Sequence, residues 1–321
     1  MGDTSTENRI RLGISTCLLG WDVRYDGTHK LDRFLRDTLG GYVEYVPVCP
    51  EVECGMTTPR EALRLIGDPD KPRLITINTR KDYTDQMQEW GRRKLDELSG
   101  EALCGYIFKS RSPSSGMERI KVYDKNGVPA KTGIGIFARM FMERFPQLPV
   151  EDEGRLHDPR LRENFVERIF VMKRWRELMT DEPSRGLLVD FHTRHKMLIM
   201  AHSPRYYREL GRIVAEGKDI DEASRRQRYF SILTEALSIQ ASVRNHVNVL
   251  QHLMGYFKKQ LTPDEKQELI DIIEDYRRGF APLIVPVTII NHYVRKYDQP
   301  YLKQQWYLNP HPVELKLRTH V

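Results

Sequence analysis

Apolar residues recur in two different rhythms along this chain, and the change falls near residue 150. Before it, short and nearly continuous apolar runs at 11–16, 43–49, 73–77 and 103–109 alternate with polar, helix-like stretches. The clearest of these stretches is 83–99, with Asp82 placed to cap it. Such runs, separated by helices, suit strands buried on both faces of a parallel sheet. From about Pro159 the apolar spacing becomes helical, giving expected helices over 161–179, 187–200, 206–214, 222–239, 243–257 and 263–278. Thr262-Pro263-Asp264-Glu265 opens the last of them with a cap, a proline at the first helical position and early acids. The expected architecture is an α/β domain with a Rossmann-like parallel sheet over residues 1–150, followed by an all-α domain over 151–321. The tract 146–154, with two prolines, an acidic run and a glycine, reads as the linker. A chain of 321 residues is also longer than one core usually serves.

In a parallel sheet, ligands bind at the carboxyl ends of the strands. Cys17 follows the first expected strand, Cys49 ends the second, and the serine-rich loop 110–116 follows the fourth. Pro50 stops the second strand, which puts Glu51 at the same rim. Each of these residues alone has a plain reading: a buried thiol, a surface glutamate, a connecting or phosphate-contacting loop. Together, two strand-end thiols and a carboxylate suit a metal site, and thiolates favour iron or zinc. The hydrophobic fraction is 40%, no stretch approaches a membrane span, and residues 1–8 lack the apolar core of a secretory signal. The expected location is therefore the cytoplasm, where the four cysteines, Cys54 and Cys104 included, are free thiols or ligands rather than disulfides. Cys104 falls in an expected strand and reads as core.

The net charge is +6, of which the part after residue 150 carries +4. That permits an anionic partner without demanding one. Basic and aromatic residues interleave there in Arg205-Tyr206-Tyr207-Arg208, in Arg225-Arg226-Gln227-Arg228-Tyr229 and along the tail 293–307. Rings that stack on bases beside cations that neutralise phosphates would make an RNA platform. The candidate contacts are Arg194, Lys196, Arg205, Arg208, Arg225, Arg226 and Arg228. The plain alternative is solvated helix faces with aromatics turned into the core. His192, His195 and His202 lack an HExxH pattern and read as packing or RNA-facing groups. No GxGxxG or P-loop pattern follows the first strand, which counts against a nucleotide-binding module.

Cys17-Leu18-Leu19-Gly20, Arg24-Tyr25-Asp26-Gly27, Val48-Cys49-Pro50-Glu51, Thr58-Pro59-Arg60 and Ser112-Pro113-Ser114 occur in an order that resembles the bacterial thiouracil desulfidases over about residues 9–145. Phe191-His192-Thr193-Arg194-His195-Lys196 and Met200-Ala201-His202-Ser203-Pro204 resemble the YbgA-like domain. The two in this order are similar to the tRNA 4-thiouridine desulfidases. That resemblance implies a [4Fe–4S] cluster held by three cysteines, whose open iron takes the substrate sulfur while water replaces it. Thiolated tRNA would be the partner. By the same resemblance Cys17 and Cys49 are ligands, Glu51 is the general base or acid, and Ser112 hydrogen-bonds the substrate or relays a proton.

The third ligand position is occupied by Ser115, where the family pattern has cysteine. A hydroxyl is a much weaker iron ligand than a thiolate. Three explanations are open: a Cys→Ser change introduced at a ligand, a natural protein with a weakened or lost cluster, or substitution by Cys54. Two other functions compete with the tRNA desulfidase: a cluster-less RNA-binding protein, and a desulfidase of free thiouracil whose helical half serves for dimerisation.

Overall fold

The computed structural model describes residues 9–180, 182, 184–217 and 220–320. The polar segment 1–8, read above as no secretory signal, lies outside the described residues. The chain divides into two compact units, Met1–Asp158 and Pro159–Val321.

In chain order the first unit holds β1 (Ile10–Ser15), β2 (Val43–Val48), the single turn α1 (Pro50–Glu53), β3 (Leu63–Asp68), β4 (Lys71–Thr76), α2 (Thr84–Ser99), β5 (Tyr106–Phe108), β6 (Ile120–Tyr123), β7 (Pro129–Gly133), α3 (Ile136–Arg144) and β8 (Val150–Asp152). Four strands form a wholly parallel sheet in the order β2-β1-β5-β8. Ser15 pairs with Val48, Ile14 with Ile107 and Phe108 with Asp152, so these strands end together at one rim. The chain leaves β1 toward β2 on one side and returns to β5 and β8 on the other. The direction thus reverses between β1 and β5, the position at which sheets of this kind bind ligands outside the carboxyl ends.

Two expectations change here. The run 73–77 lies in β4, which pairs antiparallel with β3 in a second sheet of order β4-β3-β6-β7. Only Pro69 and Asp70 separate β3 from β4, far too few for the crossover of a dozen or more residues that parallel neighbours need. The tract 146–154 is no plain linker, since it contains β8, an edge strand of the parallel sheet. The core joins Val48, Tyr106 and Phe108 of that sheet to Leu65 and Val122 of the second, and to Met87 and Trp90 of α2 and Phe137 and Phe141 of α3. Phe108 meets Phe141 edge to face at 5.6 Å. Burying each such side chain stabilises by roughly 1.5–3 kcal/mol.

The second unit is helical: α4 (Pro159–Thr180), α5 (Arg185–His202), α6 (Pro204–Ala215), α7 (Glu222–Ser238), α8 (Val243–Met254), α9 (Pro263–Arg278), α10 (Ile284–Lys296) and the short α11 (Pro300–Lys303). Side-chain caps from Ser184, Ser203, Asp221, Ser242 and Thr262 start α5 to α9. Thr262 and Glu265 complete a reciprocal capping box. Trp175 stacks on Tyr229 and Phe230 within a core that runs through α4 to α10. A charged group is buried in this unit. Arg318 donates to Glu163 at 3.2 Å, to Glu167, and to the Tyr307 carbonyl at 2.6 Å. The architecture is α/β followed by all-α, as the two rhythms imply. No described helix is long and apolar enough to cross a membrane.

Candidate active site

Cys17 sits in the 3-10 turn Thr16–Leu19 that follows β1, and it is buried. Cys49 precedes α1. Its N–H donates to Glu53 at 2.7 Å, and its Sγ lies 4.0 Å from the Val23 carbonyl. Burial pushes the Cys17 thiol up to about 12, with Lys109 acting in the opposite direction and Cys49, Glu153 and Glu51 adding to the rise. All of these groups follow the carboxyl ends of β1, β2, β5 and β8. Burial also pushes the Cys49 thiol up. Both thiols hold their protons in the free chain, and a bound metal would have to displace them.

A network of oxygens meets the thiols at the same rim. Arg60 donates to Glu51 Oε2 through Nη2 and, at 3.0 Å, through Nε. Ser114 Oγ donates to Glu51 Oε1 at 2.7 Å and lies 2.9 Å from Ser112 Oγ. Ser112 Oγ in turn accepts the N–H groups of Ser114 at 3.3 Å and Ser115 at 3.1 Å. Glu51, Ser114 and Ser112 thus form a continuous chain of oxygens within hydrogen-bonding distance.

The 110–116 loop is held rigidly. Phe137 and Ala138, at the start of α3, donate their N–H groups to the Ser114 carbonyl, and Gly135 donates to that of Gly116. Side chains at two positions would break this seat. A Cβ on Gly135 would lie 2.6 Å from the Ser114 carbonyl, and one on Gly116 would lie 2.1 Å from Ile120. On the other flank Glu153, just past β8, accepts from Ser110 N at 2.6 Å, from Ser110 Oγ at 2.7 Å and from Lys109 Nζ.

Ser115 is 3% exposed and presents a hydroxyl where the resemblance calls for a thiolate. Cys54 is engaged elsewhere in the free chain. Its thiol donates to the Glu51 carbonyl at 3.3 Å, packs in the core cluster with Met87 and Trp90, and is pushed up to about 11 by burial. Among the described residues no three His, Cys, Asp or Glu side chains converge to hold a metal. Two thiols and a serine hydroxyl are one sulfur short of a three-thiolate cluster, so the residues present do not fit that group as it stands.

The candidate RNA contacts separate into two kinds. Arg225 and Arg226 are buried, at 0% and 1% exposure, and this corrects their assignment. Arg225 donates to the carbonyls of Glu216 at 3.0 Å and Gly217, just past α6. Arg226 donates to the carbonyls of Leu178 at 3.1 Å and Glu182 at 3.2 Å, at the end of α4. Carbonyls at helix ends lack intrahelical donors, and these two guanidinium groups supply them. Arg228 is exposed but forms a bidentate pair with Glu216, and Arg194 pairs with Asp190 at 2.8 Å. Lys196 lies over the Tyr301 ring and Arg205 over the Tyr206 ring. Arg205 and Arg208 are exposed. The three histidines are buried, so they pack rather than face RNA: His192 bonds Tyr229, His195 the Phe191 carbonyl, and His202 Glu167 and the Ile239 carbonyl.

Sequence reasoning passed over the roles of Arg60, Ser114, Lys109 and Glu153. Arg60 stands nine residues after Glu51 across a loop, and Ser114 sits between two serines that attracted the attention. Neither contact has a periodic signature.

Residues 12–153 match the family described as 2-thiouracil desulfurase. Residues 196–312 match a family described as a protein of unknown function, DUF1722. The chain is 36% identical over 154 residues to the uncharacterized protein YbgA of Escherichia coli (strain K12), covering 47% of this chain and 90% of that protein. It is 31% identical over 108 residues to the uncharacterized protein YbbK of Bacillus subtilis (strain 168), covering 32% of this chain and 71% of that one. Among solved structures it is similar to the [4Fe-4S]-dependent thiouracil desulfidase TudS, with a TM-score of 0.39 and 27% identity over 47% of this chain and 95% of that chain.

Proposed function

We propose that this chain, which belongs to the 2-thiouracil desulfurase family over residues 12–153 and to the YbgA-like family over its helical part, is a desulfidase that hydrolyses the C–S bond of a thiolated pyrimidine, 4-thiouridine in tRNA. One observation carries the reading. The Cys17 and Cys49 thiols and the Glu51–Ser114–Ser112 chain lie at the rim where the parallel sheet reverses direction.

The reaction replaces sulfur by oxygen. Water attacks the thiocarbonyl carbon, a C–O bond forms, the C–S bond breaks, and sulfide departs as hydrogen sulfide with the protons of the water. No electron is gained or lost overall. Ser112 is the half-buried end of the oxygen chain and the group placed to meet water or substrate. A proton taken there passes through Ser114 to Glu51, which Arg60 holds in place. Glu51 therefore acts from behind two hydroxyls.

With a cysteine at position 115, that residue together with Cys17 and Cys49 would supply the three thiolates of a [4Fe–4S] cluster, which would polarise the thiocarbonyl; with serine there the set is one thiolate short. Ser115→Cys is the variant that supplies the missing thiolate. The test is iron and acid-labile sulfide per chain for the protein and for Ser115→Cys, reconstituted side by side without oxygen, together with turnover of thiouracil and of 4-thiouridine in tRNA. About four irons and turnover in the cysteine variant support the proposal. Ser115 itself favours a second reading, a cluster-less RNA-binding protein. Absence of iron from both forms, with RNA binding retained, would establish that reading instead.

A further inference from the structure

The loop between Gly20 and Lys30 is fastened to the site by its backbone and presents its side chains outward. The Val23 carbonyl accepts from Arg60 Nη2 at 3.0 Å, and the Tyr25 carbonyl accepts from Arg60 N at 2.8 Å. The Lys30 N–H donates to the Cys17 carbonyl at 2.9 Å. A tight turn closed by Arg24 and Thr28 holds Tyr25 near its tip. Trp21 is 56% exposed and Tyr25 42%. Two large rings left in water beside a buried reaction centre are the kind of exposed apolar feature that marks a binding surface.

The 110–116 loop adds a cation. Arg111 is exposed and has a left-handed backbone, φ +59, a conformation that costs an L side chain energy. Its neighbours impose it. Ser110 is tied to Glu153, and Ser112 to the N–H groups of Ser114 and Ser115. Among the described residues Arg111 and Lys30 have no ion pair, whereas Arg24 and His29 on the same rim are matched with Asp26 and Asp22. The rim thus carries two cations without an ion pair and two exposed rings, of which Tyr25 has the Arg24 guanidinium 5.4 Å from its centroid on one face.

We propose that Trp21, Tyr25, Lys30 and Arg111 form a nucleotide-recognition rim on the first unit, with the rings stacking on bases that flank the reacting pyrimidine and the cations holding its phosphates. The proposal rests on the desulfidase reading for the identity of the reacting base. It makes these four residues the determinants that favour a thiolated pyrimidine within a polynucleotide over the free base.

The experiment uses the full chain and a single-stranded octaribonucleotide carrying one 4-thiouridine. Binding is followed by fluorescence anisotropy, and contacts are mapped by near-ultraviolet cross-linking through the thiocarbonyl. Trp21→Ala is expected to weaken binding about tenfold. Arg111→Gly, which suits the left-handed backbone, is expected to weaken it by a similar factor and to lower the salt dependence of log affinity by about one. Cross-links should map to the peptides of residues 20–30 and 110–116. Tight binding that neither variant weakens would place the RNA elsewhere and overturn the proposal. So would self-association of the chain that Trp21→Ala abolishes, which would make the rings a protein contact. Turnover of free thiouracil by the Ser115→Cys chain without oligonucleotide binding would overturn the proposal and leave the desulfidase reading standing. RNA binding weakened by both variants, with no turnover of any thiolated substrate, would uphold the rim and overturn the desulfidase reading.

Discussion

Acidification should loosen the helical unit well before ordinary carboxylates titrate, because this unit buries several neutral histidines. Burial lowers His192 and His311 to about 4 and His246 to about 3, and pushes His195 down as well. His192 and His246 are each 3.0 Å from a buried tyrosine hydroxyl, those of Tyr229 and Tyr307. The unfolded chain takes up protons near the ordinary histidine value of 6.5, and the folded chain does not. The stability these residues contribute is therefore present above that value and is lost as the pH falls. Between pH ~7.5 and ~5.5 each of the three with a stated value costs on the order of 1 kcal/mol, a few kcal/mol together.

Glu163 opposes this trend. Burial, with Glu167 beside it, raises its carboxyl to about 7. The folded state then holds a proton that the unfolded state has released, which offsets part of the loss over the same interval. The histidines outnumber it, so the net change is a loss of stability. Urea titrations read by amide exchange in peptides from α5, α7 and α8 report on this unit by itself. His246→Gln should flatten the acid limb by about a third of the histidine contribution, and Glu163→Gln should steepen it. Stability that is flat or rising between pH 7.5 and 5.5, or a slope indifferent to His246→Gln, would refute the reasoning.

In a cluster-competent background Ser114→Ala should lower kcat by about 10²-fold or more while leaving the cluster spectrum and KM unchanged, since it removes the hydroxyl that joins Glu51 to Ser112. Glu51→Gln should do the same, and near-normal turnover in either would remove the relay. Arg60→Lys should lower stability by about 1–3 kcal/mol despite keeping the charge, measured by thermal unfolding, because one ammonium cannot serve Glu51, Val23, Thr57 and Thr58 together. Arg226→Met should lower the melting temperature, as the Leu178 and Glu182 carbonyls lose their donors, and leave RNA affinity in an anisotropy titration unchanged.

The parallel sheet was legible because its long strands, β1 and β2, are nearly continuous apolar runs, broken by Arg11 and Glu44, that no helix period explains. The second sheet was not, because β7 is exposed along most of its length and β3 alternates without a long apolar run. A usable signal was nonetheless present in Asn126-Gly127 between β6 and β7, where Gly127 has φ +78. Cys17, Cys49, Glu51 and the 110–116 loop could be named from sequence because strand ends converge in any parallel sheet. Arg60 and Ser114 could not, since what defines them is a contact across 9 and 63 positions. Arg225 and Arg226 misled for the opposite reason. A run of arginines on a helix looks like a phosphate-binding face, and only tertiary structure shows that unfilled carbonyls at the ends of neighbouring helices claim them.

Arg60 gives the site a property that none of its parts has alone. Its guanidinium fixes the Glu51 carboxylate on one side and the Val23 carbonyl on the other, while its own N–H holds the Tyr25 carbonyl. The loop that displays Trp21 and Tyr25 and the carboxylate that ends the proton path therefore share one anchor, which is 7% exposed. A planar fork with five donors can hold several acceptors at fixed angles, and moving one of them strains the others. A nucleotide stacked on the loop as proposed would consequently press on the group that orients Glu51. On that proposal, seating of the nucleotide and aim of the carboxylate would be coupled, and a free base that leaves the loop untouched is expected to lose catalytic rate as well as affinity.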